Sequence, residues 1–455
     1  MLTELRTYFR RVRDALPLLD AWRPPERTPA FPGEPDSAIP APELQWYNRA
    51  KPPRPGLPCG LRASELSCGE AEAVVAKYPD VQFIYGTGER KILYDSEKLL
   101  ALMGKYPNFY LATANLCNML FFERAEELRV AEKLLYGSFM PFFDEGAALG
   151  PLILSRLPWP LRCGIAGNHL RRLLGMTPFL LPEPPPMPEL PPFLIDAHAH
   201  TQDTPGGRVF APCLNWRTAR WLSYMDSVWT QKMFFTPGEA IADPSVSSLE
   251  VIGDDCRKSG GRMFFFEVFD PNNAALSLCH LEQSLPLPEC VGIKLHPAEH
   301  RVSASDPRYA EAFSAARRFG KPVMTHSWED SSYNPAQKLS CPHLFTPHLE
   351  RFPDVKFVLG HAGGRPSTLP DVTALCARFP QIRADLAGDY FHWGNLRRLR
   401  AGLGTKKILY ASDCFWMDPR CMMGMLLDSI IPDEELKDVL SGNASGFFSV
   451  PGGTV

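Results

Sequence analysis

The sequence predicts an α/β chain in which a (β/α)8 TIM barrel over residues 193–455 is preceded by a degenerate partial copy of the last strands of the same barrel. Three observations carry this reading. The first is Leu194-Ile195-Asp196-Ala197-His198-Ala199-His200, an apolar strand pattern ending in two histidines one residue apart. The second is a train of further strand candidates after it, several separated by helical patterns, with polar residues at their C-terminal ends. The third is a repeat. Lys77-Tyr78-Pro79-Asp80-Val81-Gln82-Phe83-Ile84-Tyr85-Gly86-Thr87 matches Arg351-Phe352-Pro353-Asp354-Val355-Lys356-Phe357-Val358-Leu359-Gly360-His361, and Leu135-Tyr136-Gly137-Ser138-Phe139 matches Leu409-Tyr410-Ala411-Ser412-Asp413. The interval from Thr87 to Phe139 equals that from His361 to Asp413, 52 residues in both.

Composition narrows the partners. A chain of 455 residues exceeds one ordinary domain but accommodates a barrel with something appended. A formal net charge of −3 gives no basic field for nucleic acid, so the expected partner is a small-molecule substrate. Twelve cysteines without a C-x-x-C motif, and an N-terminus without an apolar run of signal length, read as a cytoplasmic protein with reduced thiols. No apolar stretch reaches the roughly 18 residues that span a bilayer. The densest one, 147–161, is broken by Gly150, Pro151, Arg156, Pro158 and Pro160, so no membrane segment is expected.

In chain order, residues 1–75 open with an amphipathic helix pattern, 5–19, and continue as a proline-rich arm. Prolines at that density (among them Pro24, Pro25, Pro29, Pro32, Pro35, Pro40, Pro42, Pro52, Pro53, Pro55 and Pro58) block regular ladders and favour extended chain. Residues 76–180 have a βαβαβ rhythm, with strands over 81–85, 108–111 and 133–139 and helices over 91–103 and 124–130. Tyr106-Pro107-Asn108-Phe109 and Gly167-Asn168 extend the repeat, matching Phe379-Pro380-Gln381-Ile382 and Gly442-Asn443. The copy lacks the chemistry of the original: Thr87 stands where His361 stands, and Phe139 where Asp413 stands. Three strands cannot close a barrel, so this unit should dock on the main barrel or on a partner chain, which admits a homodimer. A truncated start, with strands one to five of the first copy upstream of Met1, is the alternative the odd start point leaves. Residues 181–192, rich in proline, form a stiff linker.

The barrel strands after the first are expected at 232–236, 262–269, 290–296, 322–325, 355–359, 382–386 and 407–411, which makes eight. Side chains at i and i+2 of a strand share a face, so His198 and His200 are aimed at one point, and neutral imidazole suits zinc and other borderline divalent metals. The fourth strand ends in Lys294 and His296, the fifth in His326, the sixth in His361 and the eighth in Asp413. A barrel builds its active site at that end. His280, His300, His343, His348 and His392 fall elsewhere and read as ordinary surface or core residues.

Asp196-Ala197-His198-Ala199-His200, Gly292-Ile293-Lys294-Leu295-His296-Pro297, Met324-Thr325-His326, Gly360-His361-Ala362-Gly363-Gly364, Tyr410-Ala411-Ser412-Asp413 and Gly442-Asn443-Ala444 resemble the amidohydrolase superfamily. The nearest likeness is to its amidohydrolase-related (amidohydrolase 2) branch of metal-dependent hydrolases and non-oxidative decarboxylases, over residues 193–450. The resemblance implies one divalent metal, zinc with manganese as the substitute, held by His198, His200, His326 and Asp413, with His361 as a ligand or a catalytic group beside it. Three imidazoles and a carboxylate leave a coordination position for water or substrate. Asp413 then accepts a proton from that water and His361 serves as acid-base or polarises a carbonyl. Lys294 is expected to bind an anionic substrate group or to pair with a carboxylate such as Glu267; a carboxylated Lys294 would instead bridge two metals. His296, Arg365, Trp328 and Trp416 complete the expected substrate contacts. Several aromatic decarboxylases of this family carry Glu in place of the first histidine, so His198 favours hydrolysis of an amide, ester or lactone, or the minority of decarboxylases that retain H-x-H. A non-enzymatic scaffold is the remaining class.

Overall fold

The computed structural model describes residues 1–22, 39–86, 95–201, 216–388 and 391–450. Two parallel sheets organise them. The first has five strands in chain order, β1 (Gln45–Trp46), β2 (Cys59–Arg62), β3 (Phe83–Gly86), β4 (Phe109–Ala112) and β5 (Leu134–Leu135). The second has eight, β6 (Leu194–Thr201), β7 (Thr230–Pro237), β8 (Met263–Val268), β9 (Cys290–Leu295), β10 (Val323–His326), β11 (Phe357–Gly360), β12 (Ile382–Asp385) and β13 (Ile408–Leu409), each beside the next. A parallel bridge from Ala199 to Cys414 and a bond from Ala197 N to Tyr410 O (3.1 Å) bring β6 back to the chain around β13. The expected (β/α)8 barrel is thus present, with all eight strands near their expected positions.

The barrel floor is apolar. Ile195, Phe234, Phe264, Phe266, Met324 and Val358 form a cluster that Phe447 and Phe448 of the C-terminal helix close from below. A register shift in β6 sets what lies above it. Asp196 pairs with Met233 and Ala199 with Phe235, so β6 has one residue more than β7 there. An extra residue flips the alternation of a strand. Ile195 and Ala197 therefore join the floor, while His198 and His200, of opposite parity, converge at the mouth.

The segment expected to be an arm carries structure. Helix α1 (Leu2–Ala15) buries Leu5, Phe9 and Val12, and β1 and β2 lie among the prolines, giving the first sheet five strands rather than three. Pro24 to Pro35, the start of the 91–103 helix and Thr87 lie outside the described residues.

Residues 19–22 run beside β5 as β6 runs beside the chain after β13. Ala21 N donates to Tyr136 O (2.7 Å) and Phe139 N to Trp22 O (3.2 Å), as Ala197 N donates to Tyr410 O and Asp413 N to His198 O (2.9 Å). Asp20 accepts from Ser138 N and Oγ and from Trp22 N; Asp196 accepts from Ser412 N and Oγ and from His198 N. β2 pairs with β3 in the register in which β10 pairs with β11, Arg62 opposite Gly86 as His326 is opposite Gly360. Residues 19–22 and β2 thus take, beside β5 and β3, the places that β6 and β10 take in the barrel. At the positions of His198, His326 and Asp413 the first sheet has Trp22, Arg62 and Phe139. The Trp22 indole lies against Gly86 and edge-on to Trp46 (ring centroids 5.0 Å).

Candidate metal centre

Each element contributes its side chain from a strand end at the barrel mouth. The ligand atoms of His198, His361 and Asp413 lie within 4.8 Å of one another. His200 Nε2 sits 3.2 Å from Asp413 Oδ1. The His326 ring is edge-on to His361 (4.7 Å) and lies in a stack between His296 (4.2 Å) and Trp328 (5.6 Å). Both His361 (φ 62) and Asp413 (φ 63) have left-handed backbone, uncommon for residues with a Cβ and concentrated at functional sites.

Three of the imidazoles are oriented from behind. His198 Nδ1 donates to Asp385 Oδ2 (3.0 Å), His200 Nδ1 to the carbonyl of Thr236 (2.9 Å) and His326 Nε2 to Gln337 Oε1 (2.8 Å). A nitrogen that donates outward leaves the other nitrogen of its ring with a lone pair, the arrangement typical of metal-binding histidines. His361 differs. Its Nδ1 is buried and has no hydrogen-bond partner among the described residues. Beside it Gly388 (φ +80) approaches so closely that a Cβ would stand 2.9 Å from that nitrogen and 3.6 Å from Asp413 Oδ2. Asp385 also accepts from His361 N (2.7 Å) and Ala387 N (3.1 Å), so one carboxylate fixes two histidines.

Burial dominates the electrostatics. It holds His198, His296 and His326 well below the ordinary imidazole range and takes His361 to about 4, so all four are neutral at pH 7. Burial raises Asp413 too, but the His200 ring 3.2 Å away and the surrounding imidazoles outweigh it and hold the carboxyl well below its usual value. Burial lowers Lys294 to about 8, against the pull of Asp385 and Asp413. Lone pairs on neutral imidazoles plus an ionised carboxylate are the donor set a divalent cation takes. The unpartnered His361 nitrogen agrees: these residues fit such an ion.

Lys294 does not pair with Glu267. Its Nζ lies 2.6 Å from His198 Nε2, while Glu267 accepts from Ser248 N (2.9 Å) and Ser284 Oγ (2.6 Å). His296 accepts from Glu299 N through Nδ1 (3.2 Å) and so caps a short helix. Arg365 stacks over Trp328 (4.7 Å) and faces Glu329 at 3.9 Å. Trp416 stacks on Phe415 (4.9 Å), in the loop after Asp413. The sequence reading missed Asp385, Gln337 and Gly388. An Asp at the end of a strand is a signal it had; Gln337, on a 3-10 turn beyond β10, gives none.

No helix among the described residues is long and apolar enough to cross a membrane. Among curated proteins none matches this chain. Among solved structures the chain is similar to 5-carboxyvanillate decarboxylase from Sphingomonas paucimobilis (15% identity, 57% of this chain and 100% of that one, TM-score 0.45). It is also similar to 2,6-dihydroxybenzoate decarboxylase from Rhizobium (12%, 56% and 98%, TM-score 0.43) and to an amidohydrolase 2 from Bifidobacterium longum subsp. infantis (16%, 57% and 99%, TM-score 0.41). The amidohydrolase family model matches residues 195–450, from the second residue of β6 to two residues past the helix (Asn443–Phe448) that closes the barrel floor. A match over more than half of the sequence, on the barrel that carries the histidines, places this chain in the amidohydrolase family of metal-dependent enzymes.

Proposed function

We propose that the barrel is a mononuclear hydrolase of an amide, ester or lactone bond in a small anionic substrate, with His198, His200, His326 and Asp413 holding one divalent cation, zinc or in its place manganese. The observation that carries this is the division among the histidines. His198, His200 and His326 each have one ring nitrogen tied outward and the other left with a lone pair, whereas His361 has an unpartnered buried nitrogen beside the Asp413 carboxylate. When bound, the cation supplies Lewis-acid polarisation of a substrate oxygen and acidifies a water molecule.

The chain's own groups do the rest. Asp413, ionised, accepts the proton of the attacking water; His361, neutral, takes it on through Nδ1 and returns it to the leaving group. Among the described residues Lys294 is the cationic side chain at the centre of the site, and it binds a substrate anion. Trp328 and Trp416 flank the mouth and exclude water, and Arg365 offers a guanidinium beside Trp328. Lys294 also favours a second reading, non-oxidative decarboxylation, because an ammonium that holds a carboxylate can also protonate the carbon left when CO2 departs.

The test is metal content by inductively coupled plasma mass spectrometry on the full chain and on His198→Ala and Asp413→Ala. About one ion per chain is expected, lost in both variants. A pH-stat then follows acid release from lactones, esters and amides, with dissolved CO2 recorded for aryl and unsaturated carboxylates. CO2 release without ester or lactone cleavage moves the assignment to the second reading; no stoichiometric metal after reconstitution overturns both.

A further inference from the structure

The contact between the two sheets' units is built like a two-fold interface, although both sides belong to one chain. Each unit ends its last strand in a loop and a helix that starts at an aspartate: Asp144 caps α2 (Glu145–Ile153) by accepting from Gly146 N, and Asp418 caps α3 (Pro419–Asp428) by accepting from Arg420 N. Asp144 N donates to Phe391 O (2.7 Å), and Asp418 N donates to Cys117 O (2.6 Å). The spacing between the partners is the same, 274 residues from Asp144 to Asp418 and 274 from Cys117 to Phe391.

The crossing of α2 over α3 repeats the pattern. A Cβ on Gly150 would collide with the carbonyl of Arg420, and one on Gly424 with the carbonyl of Gly146; the same 274 residues separate Gly150 from Gly424 and Gly146 from Arg420. Residue i meeting j while the counterpart of j meets the counterpart of i is the signature of an isologous interface.

We propose that residues 1–180 are a second copy of the barrel's closing strands that serves as a built-in subunit, occupying the face on which a two-fold partner would sit and holding the loop that carries Asp413. That loop is tied at its start to β6 through Asp413 N and His198 O, and at its end to the first unit. Leu120 N donates to Asp418 Oδ2 (3.2 Å), and buried Arg420 joins Asp418 (2.6 Å) to Glu123 (2.9 Å). The Cys414 thiol lies 3.4 Å from Met119 Sδ. The mouth loop after β12 is held likewise: Trp393 N donates to Phe142 O (3.0 Å) and His392 lies against Phe143 (5.1 Å). Trp22 and Phe139 leave the first unit without the ligands of the second, so its part is support. Glu123 is accordingly a positioning residue, acting through Arg420.

The test uses the full chain and Glu123→Gln, which keeps the shape and removes the charge. Light scattering should give the mass of one chain, 50.9 kDa. Hydrogen exchange should quicken over residues 413–420 in the variant by about tenfold, and Co2+, read by its visible absorption, should bind about tenfold more weakly. The Co2+ arm rests on the proposed metal centre and the exchange arm does not, so a wild-type chain that takes up no Co2+ overturns only the former reading. A two-chain particle cross-linked through α2 and α3, or exchange over 413–420 that Glu123→Gln leaves unchanged, overturns the built-in subunit. Should the variant fail to fold, the wild type decides: the two-fold-related amides of Asp144 and Asp418, which both bond across the contact, must both be protected, and free exchange of either overturns the proposal.

Discussion

Lys294 and a cation compete for the same lone pair, since its Nζ already bonds His198 Nε2. With a value near 8 it is mostly an ammonium at pH 7, a like charge a few ångströms from the proposed metal position. Lys294→Met is therefore expected to tighten Co2+ or Zn2+ by about tenfold while turnover of anionic substrates collapses, measured by competition with a chelator and by the pH-stat. Equal or weaker metal affinity would place Lys294 among the groups that assist the metal. Most of this constellation is legible in the residues, because histidines at strand ends need no long-range information. Asp385 also stands at a strand end, but what it holds is not legible, since that depends on β12 lying beside β11, from which it reaches both His198 and the backbone of His361.

For the elements, the eight barrel strands follow from alternation and apolar runs, but the bulge that turns His198 and His200 inward does not, because it exists only in the pairing of β6 with β7. The first sheet shows the opposite failure. Leu18-Leu19-Asp20-Ala21-Trp22 repeats Leu194-Ile195-Asp196-Ala197-His198, yet Asp20 and Asp196 are 176 residues apart whereas Ser138 and Ser412 are 274 apart. A search for equal spacing passes over it, and the change of His to Trp removes the chemistry that draws attention to the original. β1 and β2 were hidden by proline density. The crossing of α2 and α3 yields a prediction of sign. Gly to Ala inside a helix ordinarily stabilises by about 1 kcal/mol, but at Gly424 the new methyl meets the carbonyl of Gly146. Gly424→Ala should instead destabilise by about 1–3 kcal/mol, seen as a lower urea midpoint; a raised midpoint would mean that the helices can part without loss.

Across the whole molecule the contact between the units also carries a pH dependence. Burial, and then the carboxylate of Asp428, raise Asp144 to about 7. A carboxyl raised in the folded state stays protonated between about pH 4 and 7, where the unfolded chain has already ionised. The folded state binds more protons there, so stability falls as pH rises through that window and levels off above about 7. Asp144→Asn, which keeps the cap on Gly146, should flatten this slope and gain on the order of 2–4 kcal/mol over the wild type at pH 8, with little gain at pH 4. Urea titrations at the two pH values measure it, and parallel curves would mean that Asp144 ionises in the fold without cost.

A symmetric dimer of two chains meets every mutation twice, once on each side of its axis, so it cannot place a cation on one side and its partner anion on the other without also placing the reverse pair. A chain that contains both sides meets each mutation once. The bond from Arg420 to Glu123 uses that freedom: the residues 274 positions away are Gly146 and Arg397, which form no such pair, so the clamp closes on the loop of Asp413 and has no counterpart at Phe139. Joining the two halves has made their shared surface directional, with one half specialising in chemistry and the other in holding it still.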